Sequence, residues 1–137
     1  MAELVVWVVG ESMVHQRLVA GALEAAGYTS KVVNYPDDER EMMALNDMMR
    51  QPTAAWPAFA IIDVGLPGIT GIELVDRLRR DPMLKSWPVV MLTASEDPED
   101  RSESLLADAT AYYAKPSTGA GYKQVVNQML DDLGARI

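Results

Sequence analysis

Short apolar runs alternate with amphipathic stretches along the 137 residues of this chain. Five of the runs are only a few residues long and nearly uniformly apolar, which is typical of strands that are buried on both faces. On this pattern the sequence predicts β-strands at residues 4–9, 31–33, 59–62, 88–93 and 111–114.

The stretches between these strands carry apolar residues at helical spacing. The first predicted helix places Val14, Leu18, Ala22 and Ala25 on one face and ends at Gly27. Further helices are predicted at 37–50, just past Gly71, from Asp97-Pro98, and along the stripe of Val125, Val126, Met129, Leu130 and Leu133. Strict alternation of strand and helix predicts an α/β, doubly wound fold, with a five-stranded parallel sheet between two helix layers.

Polar residues stand at or just after the ends of four predicted strands. They are Glu11 after the first, Asp63 on the third, Thr93 on the fourth and Lys115 after the fifth. Open α/β sheets bind ligands beyond the carboxyl ends of their strands, where these side chains would converge. The structural alternative is that each one is solvated or caps the turn that follows its strand.

The chemistry of this set of residues is suited to phosphoryl transfer. Two carboxylates and a backbone carbonyl are suitable ligands for Mg²⁺, a hard cation that prefers oxygen. A carboxylate beside Mg²⁺ and a lysine can attack a phosphoryl group, because both cations offset the developing negative charge. On this interpretation Asp63 is the nucleophile, and Thr93 can donate a hydrogen bond to the new phosphoryl oxygen.

Composition narrows the choice of partners and surroundings. The chain has no cysteine and a net charge of −8, and a strongly acidic surface is a poor match for nucleic acid. No apolar run approaches the roughly 20 residues of a membrane-spanning helix, and the start lacks the basic segment of a signal peptide. We therefore expect a cytoplasmic protein that forms one domain over residues 1–137, with no membrane or nucleic-acid partner.

Several of these residues also stand in a familiar pattern: Asp63 with Leu66-Pro67 and Gly71, Thr93 within 89–94, and Tyr112 with Lys115-Pro116. In this pattern the chain resembles the receiver domain of bacterial two-component response regulators, of the single-domain chemotaxis type. The resemblance implies a flavodoxin-like sheet of strand order 2-1-3-4-5. It also implies a signalling switch with self-catalysed phosphoryl transfer rather than an enzyme, with a partner's surface as its output.

The resemblance further implies a role for each site residue. Asp63 would accept a phosphoryl group from a histidine kinase or a histidine phosphotransfer protein. Mg²⁺ would be held by Glu11, Asp63 and the carbonyl of Gly65, and Lys115 would contact the phosphoryl group. Thr93 and Tyr112 would relay its presence to a face formed by the helix after Pro98, the fifth strand and the last helix, where a downstream protein would bind.

Two alternatives to a phosphoacceptor receiver remain, and a departure from the family pattern favours one of them. The family has two adjacent acids after the first strand, whereas this chain has Gly10-Glu11, which predicts weak Mg²⁺ binding. The loss of that acid favours a pseudo-receiver, a module that binds a partner without phosphorylation. A flavodoxin-like binder of a small cofactor is the third hypothesis, and the lack of a hydroxyl-rich phosphate loop after the first strand argues against it.

We interpret the single histidine, a cluster of methionines and two tryptophans as structural rather than functional residues. His15, the single histidine, is interpreted as a surface residue of the first helix rather than a metal ligand or phosphohistidine. The methionines within 42–49 are interpreted as packing, with an adaptable partner surface as the alternative. Trp56 and Trp87, each before a proline, are interpreted as packing residues.

Overall fold

The computed structural model describes residues 5–10, 13–34, 47–52, 56–63, 71–94 and 97–134. The strands and α-helices within them are, in chain order, β1 (Val5–Gly10), α1 (Met13–Ala25), β2 (Thr29–Asn34), β3 (Phe59–Ile62), α2 (Gly71–Arg80), β4 (Val89–Thr93), α3 (Pro98–Leu106), β5 (Ala111–Ala114) and α4 (Gly119–Leu133). A short 3₁₀ helix, Pro82–Leu84, lies between α2 and β4. Residues 47–49 are also helical, while residues 37–46 of the helix predicted there lie outside the described residues.

The five strands form one sheet in the order β2-β1-β3-β4-β5, and every neighbouring pair is parallel. This confirms the predicted strand order. Because the strands are parallel, their carboxyl ends share one edge of the sheet. Val9 pairs with Ile62 in the register of β1 and β3, so β1 and β3 end side by side.

The central strands β1, β3 and β4 are buried on both faces, as their apolar runs predicted, whereas Thr29 and Lys31 of β2 are exposed and β5 is half-buried. On one face, Trp7, Val9 and Met91 pack with α2 through Leu74, Val75 and Leu78. On the other, Val6, Val8 and Leu92 pack with α1 and α4. The residues that α1 and α4 contribute there are Val19, Ala22, Leu23, Tyr122, Val126, Met129 and Leu133.

Of the predicted buried face of α1 only Ala22 is buried, and the rest of the prediction is wrong. Val14 is 70% exposed, and Leu18 and Ala25 are also exposed. The helix instead turns its 15–19–23 stripe inward, where Val19 and Leu23 are fully buried. The helix carries apolar residues on more than one side, so two stripes fit the helical period. Packing on the sheet and on α4 selects the second stripe.

Turn chemistry sets several of the element boundaries. Asp97 caps α3 by accepting a hydrogen bond from the Glu99 N–H at 2.9 Å, and Pro98 occupies the first helical position, as predicted. Thr118 caps α4 in the same way, accepting from the Gly121 N–H. Trp87 is buried edge-on against Trp7, and its indole N–H donates to the Pro57 carbonyl, which confirms its packing role.

Candidate functional site

Asp63 lies at the carboxyl edge of the sheet, directly after the last residue of β3. Its backbone N–H donates to the Val9 carbonyl, so the residue is fixed against the end of β1. The side chain is only 16% exposed. The sequence predicted this position from a buried apolar run that ends on an acid, and the structure has the carboxylate there.

Lys115 reaches the same point from β5. Its N–H donates to the Thr93 carbonyl at 2.8 Å, which fixes its backbone to the end of β4. Its ammonium then extends over the end of β4 and contacts Asp63, with 2.5 Å between Lys115 Nζ and Asp63 Oδ2. Two residues that are 52 positions apart in sequence thus form a largely buried ion pair. The Lys115–Pro116 peptide bond is trans.

Thr93 and Tyr112 lie on the two strands next to this pair. Thr93 ends β4, between the strands that carry Asp63 and Lys115, and is 3% exposed. Tyr112 is in the middle of β5, pairs in register with Met91, and packs half-buried on the α2 side of the sheet. Thr93 therefore ends the strand between those that carry Asp63 and Lys115, and Tyr112 lies on β5, the strand that leads into Lys115.

Two predicted metal ligands, Glu11 and Gly65, lie outside the described residues. Gly10, the position of the missing acid, is the last residue of β1. Within the described ranges no group of three or more His, Cys, Asp or Glu side chains forms a metal cluster. The described part of the site consists of Asp63, Lys115 and Thr93.

The interpretation of His15 as a surface residue is wrong. The residue is only 7% exposed, and its Nδ1 shares a 2.8 Å hydrogen bond with the Tyr122 hydroxyl. The bond joins the first turns of α1 and α4, and α4 follows Lys115 by only a few residues. The spacing of His15 with Val19 and Leu23 was the available signal, because it fits a helical stripe as well as the one chosen.

Charges at the site also act on the His15–Tyr122 pair. Burial lowers the pKa of His15 to about 4; the Lys115 ammonium adds to this effect and the Asp63 carboxylate opposes it. Burial and then the charge of Asp63 raise the pKa of the Tyr122 hydroxyl. The imidazole is therefore neutral at pH 7, and its tautomer decides which atom of the pair donates.

Comparison with known proteins decides the family. The model for the response regulator receiver domain matches residues 6–127, which is most of the chain. The chain belongs to this family. It is thus a receiver domain of two-component signalling, and its sheet order is that of its CheY-like structural neighbours.

Curated relatives match this receiver domain over part of their length. The phosphate regulon transcriptional regulatory protein PhoB of Escherichia coli is 40% identical over 68 residues, which are 50% of this chain and 30% of PhoB. The chemotaxis protein CheY-3 of Vibrio cholerae is 35% identical over 75 residues, which are 55% of this chain and 58% of CheY-3. The chain thus spans less than two thirds of either relative.

Solved structures of response regulators resemble this chain over nearly its whole length. Vibrio cholerae CheY4 has a TM-score of 0.72 at 27% identity, covering 94% of this chain and 100% of its own. The phosphorylated cyanobacterial phytochrome response regulator RcpA has a TM-score of 0.76 at 25% identity, and the match covers 95% of this chain and 93% of RcpA.

No helix in the described ranges is long and apolar enough to cross a membrane.

The buried histidine makes the stability of the receiver domain depend on pH. The His15 pKa falls from 6.5 to about 4 on folding, so between these values the unfolded chain binds a proton that the folded chain does not. The stability contribution of the neutral imidazole is complete above the unfolded-state pKa and is lost as the pH falls. We therefore expect His15 to lower the free energy of unfolding by about 2 kcal/mol when the pH is lowered from 7.5 to 5.

Urea unfolding at pH 7.5 and pH 5, for the wild type and for His15→Leu, measures this contribution. Carboxylates that titrate over the same range are common to both proteins, so their effects cancel in the comparison. His15→Leu should lose about 2 kcal/mol less than the wild type over this interval. Equal losses in the two proteins would mean that His15 is protonated as easily in the folded as in the unfolded chain.

Proposed function

We propose that this receiver domain is a phosphoacceptor switch, phosphorylated on Asp63 by a histidine kinase or a histidine phosphotransfer protein. The observation that carries the proposal is the Asp63–Lys115 pair: a largely buried carboxylate at the carboxyl edge of a parallel sheet, 2.5 Å from an ammonium. A buried ion pair adds little net stability compared with apolar packing, so stability alone is a weak reason for this pair. Phosphoryl transfer makes use of both of its members.

In the proposed step, an Asp63 carboxylate oxygen attacks the phosphorus of a phosphohistidine. A P–O bond forms, the P–N bond breaks, and the departing imidazole keeps the electron pair and takes up a proton. The product is an aspartyl phosphate. Lys115 exchanges its contact with the Asp63 carboxylate for one with a phosphoryl oxygen, and so offsets the charge that develops there.

Mg²⁺ is the cofactor of the proposed step. Asp63 fits as one of its ligands, because it presents a hard oxygen donor at the edge of the sheet. Glu11 and the Gly65 carbonyl are proposed to complete the protein ligands, and Gly10 contributes no side-chain oxygen. When bound, the ion supplies positive charge against the phosphoryl oxygens and orients them for transfer.

Thr93 and Tyr112 are proposed to pass the signal to a partner. Thr93 is buried at the end of β4, between the strands that carry Asp63 and Lys115, and in this proposal its hydroxyl moves to donate a hydrogen bond to a phosphoryl oxygen. The vacated space lets the Tyr112 ring, half-buried on the next strand, turn inward. The change would appear on the face formed by α3, β5 and α4, where a downstream protein binds.

Intact mass spectrometry after incubation with Mg²⁺ and a small acyl phosphate tests the proposal. We expect the wild type to gain the mass of one phosphoryl group and Asp63→Asn to gain none. Asp97→Asn is the matched control, because the same change at the α3 cap keeps a capping side chain and leaves the site intact. It should be phosphorylated like the wild type.

Two other outcomes of the same experiment contradict the proposal in different ways. A mass increase that persists in Asp63→Asn would assign the phosphoryl group to another residue. A wild type that gains no mass from either the acyl phosphate or a phosphorylated histidine phosphotransfer protein would favour the pseudo-receiver, for which Gly10 is the supporting observation.

A further inference from the structure

Helix α3 has its larger apolar side chains on the outside. Ser104 is the one buried residue of α3, and its hydroxyl donates to the Asp100 carbonyl at 2.6 Å. Leu105 is 44% exposed and Leu106 is 85% exposed. The helix therefore packs on the sheet through small residues and presents leucines to solvent, the reverse of an ordinary amphipathic helix.

Leu106 belongs to a groove between α3 and α2. Single exposed leucines are common on protein surfaces and need no explanation, but this one lines an open cavity of about 360 Å³. Glu103, Leu106 and Ala107 line the α3 side, and these positions are neighbours on one helix face. Ile72, Glu73 and Asp76 line the α2 side in the same way. Leu105 does not line the groove.

The charged residues that line the groove are all acidic. Glu73, Asp76 and Glu103 line the groove together with the apolar residues Ile72, Leu106 and Ala107, and Arg80 pairs with Asp76 at 2.6 Å. The whole chain carries a net charge of −8. A second copy of the chain would therefore meet like charge at this groove, whereas a cationic segment would meet opposite charge.

We propose that the groove between α2 and α3 binds a cationic amphipathic segment of a partner protein. An apolar side chain of that segment would pack on Leu106 and Ile72, and a Lys or Arg residue of the segment would pair with the exposed Glu103. The groove lies on the α2 side of α3, beside the output face proposed above. The inference does not depend on phosphorylation of Asp63.

Fluorescence anisotropy with a labelled synthetic peptide tests this proposal without any phosphodonor. The probe carries leucines at helical spacing on one face and lysines on the other, and comparison peptides replace the lysines by glutamates or the leucines by serines. We expect only the lysine–leucine peptide to bind, with an affinity that falls as the salt concentration rises.

Substitutions then locate the binding site. Leu106→Ser should weaken binding about tenfold or more, because it removes the largest apolar contact, and Glu103→Gln should weaken it on the order of threefold. The matched controls are Leu105→Ser on the same helix and Glu24→Gln, an exposed acid on α1 across the sheet. Both controls should bind like the wild type, and circular dichroism checks that all four variants are folded.

Each other outcome overturns the proposal. No binding at millimolar peptide, or unchanged binding by Leu106→Ser, would mean that the groove is not the site. Equal binding of the glutamate peptide would exclude a cationic partner. Self-association of the wild type that Leu106→Ser abolishes, measured by sedimentation, would make a second copy of the chain the occupant. The peptide-binding measurements use no phosphodonor, so they test this proposal even if the wild type gains no phosphoryl group on Asp63.

Discussion

Arg79→Ala should lower the free energy of unfolding by about 2–3 kcal/mol, although Arg79 is far from the candidate site. Its guanidinium, half-buried at the end of α2, donates to the carbonyls of Leu84, Trp87 and Asp108 at 2.6–2.9 Å. It also donates to the Thr110 hydroxyl. One side chain thus joins the loops that lead into β4 and β5, and alanine would remove a donor from each acceptor. The Leu84 carbonyl and the Thr110 hydroxyl would each keep a backbone N–H donor, from Trp87 and Val89.

The neighbouring arginine provides a matched control for urea unfolding. Arg80 is exposed and pairs with Asp76 one helical turn away, so Arg80→Ala should cost only about 0.3–0.5 kcal/mol. Arg79→Lys should recover a small part of the loss, because one ammonium cannot reproduce the fork geometry of the guanidinium. Similar losses for Arg79→Ala and Arg80→Ala would show that solvent replaces the Arg79 hydrogen bonds.

The sheet and the position of Asp63 could be predicted from the sequence because both depend on short-range patterns. A run such as Phe59–Ile62 is apolar without alternation, and its short length and the helical patterns on either side favour a strand buried on both faces. Parallel strands bring their carboxyl ends together, so a polar residue at a strand end falls on the edge where Lys115 also lies. The predictions of the fold and of the candidate site therefore rest on the same pattern, short apolar runs that end on polar residues.

The rotation of α1 could not be predicted because its sequence fits two faces almost equally well. Stripes through Val14 and Leu18 and through Val19 and Leu23 both have the helical period, and the choice depends on contacts with α4. His15 is buried because it lies on the stripe that packs inward, where the Tyr122 hydroxyl gives it a partner. A residue 107 positions away decides this environment, and no local pattern contains that information.

The roles of Arg79 and Leu106 were missed for a related reason. An arginine in the last turn of a helix is normally a solvated residue that favours the helix dipole, and Arg80 fits that description. Arg79 differs because two loops supply carbonyls around it. Leu106 would be assigned to the core by its residue type, but the buried residue of α3 is Ser104.

Lys115→Ala should slow phosphorylation of Asp63 by a small acyl phosphate on the order of 10²-fold or more, if Asp63 is the phosphoacceptor. The Lys115 ammonium is 16% exposed and lies 2.5 Å from Asp63 Oδ2, so its charge is only partly screened by water where the phosphoryl group would arrive. Removing it takes away positive charge that acts as the phosphoryl oxygens gain negative charge. Rates of mass increase, measured at fixed Mg²⁺, give the effect directly.

Lys123→Ala is the matched control, because Lys123 is an exposed lysine on α4 and its loss changes the net charge equally. It should leave the rate unchanged, and Lys115→Arg should recover part of the rate because it keeps the charge in a different shape. Circular dichroism establishes that Lys115→Ala is folded, since the substitution leaves the Asp63 carboxylate without its ammonium. If Lys115→Ala and Lys123→Ala react at the same rate, the ion pair is structural, and the charge that assists transfer to Asp63 comes from elsewhere.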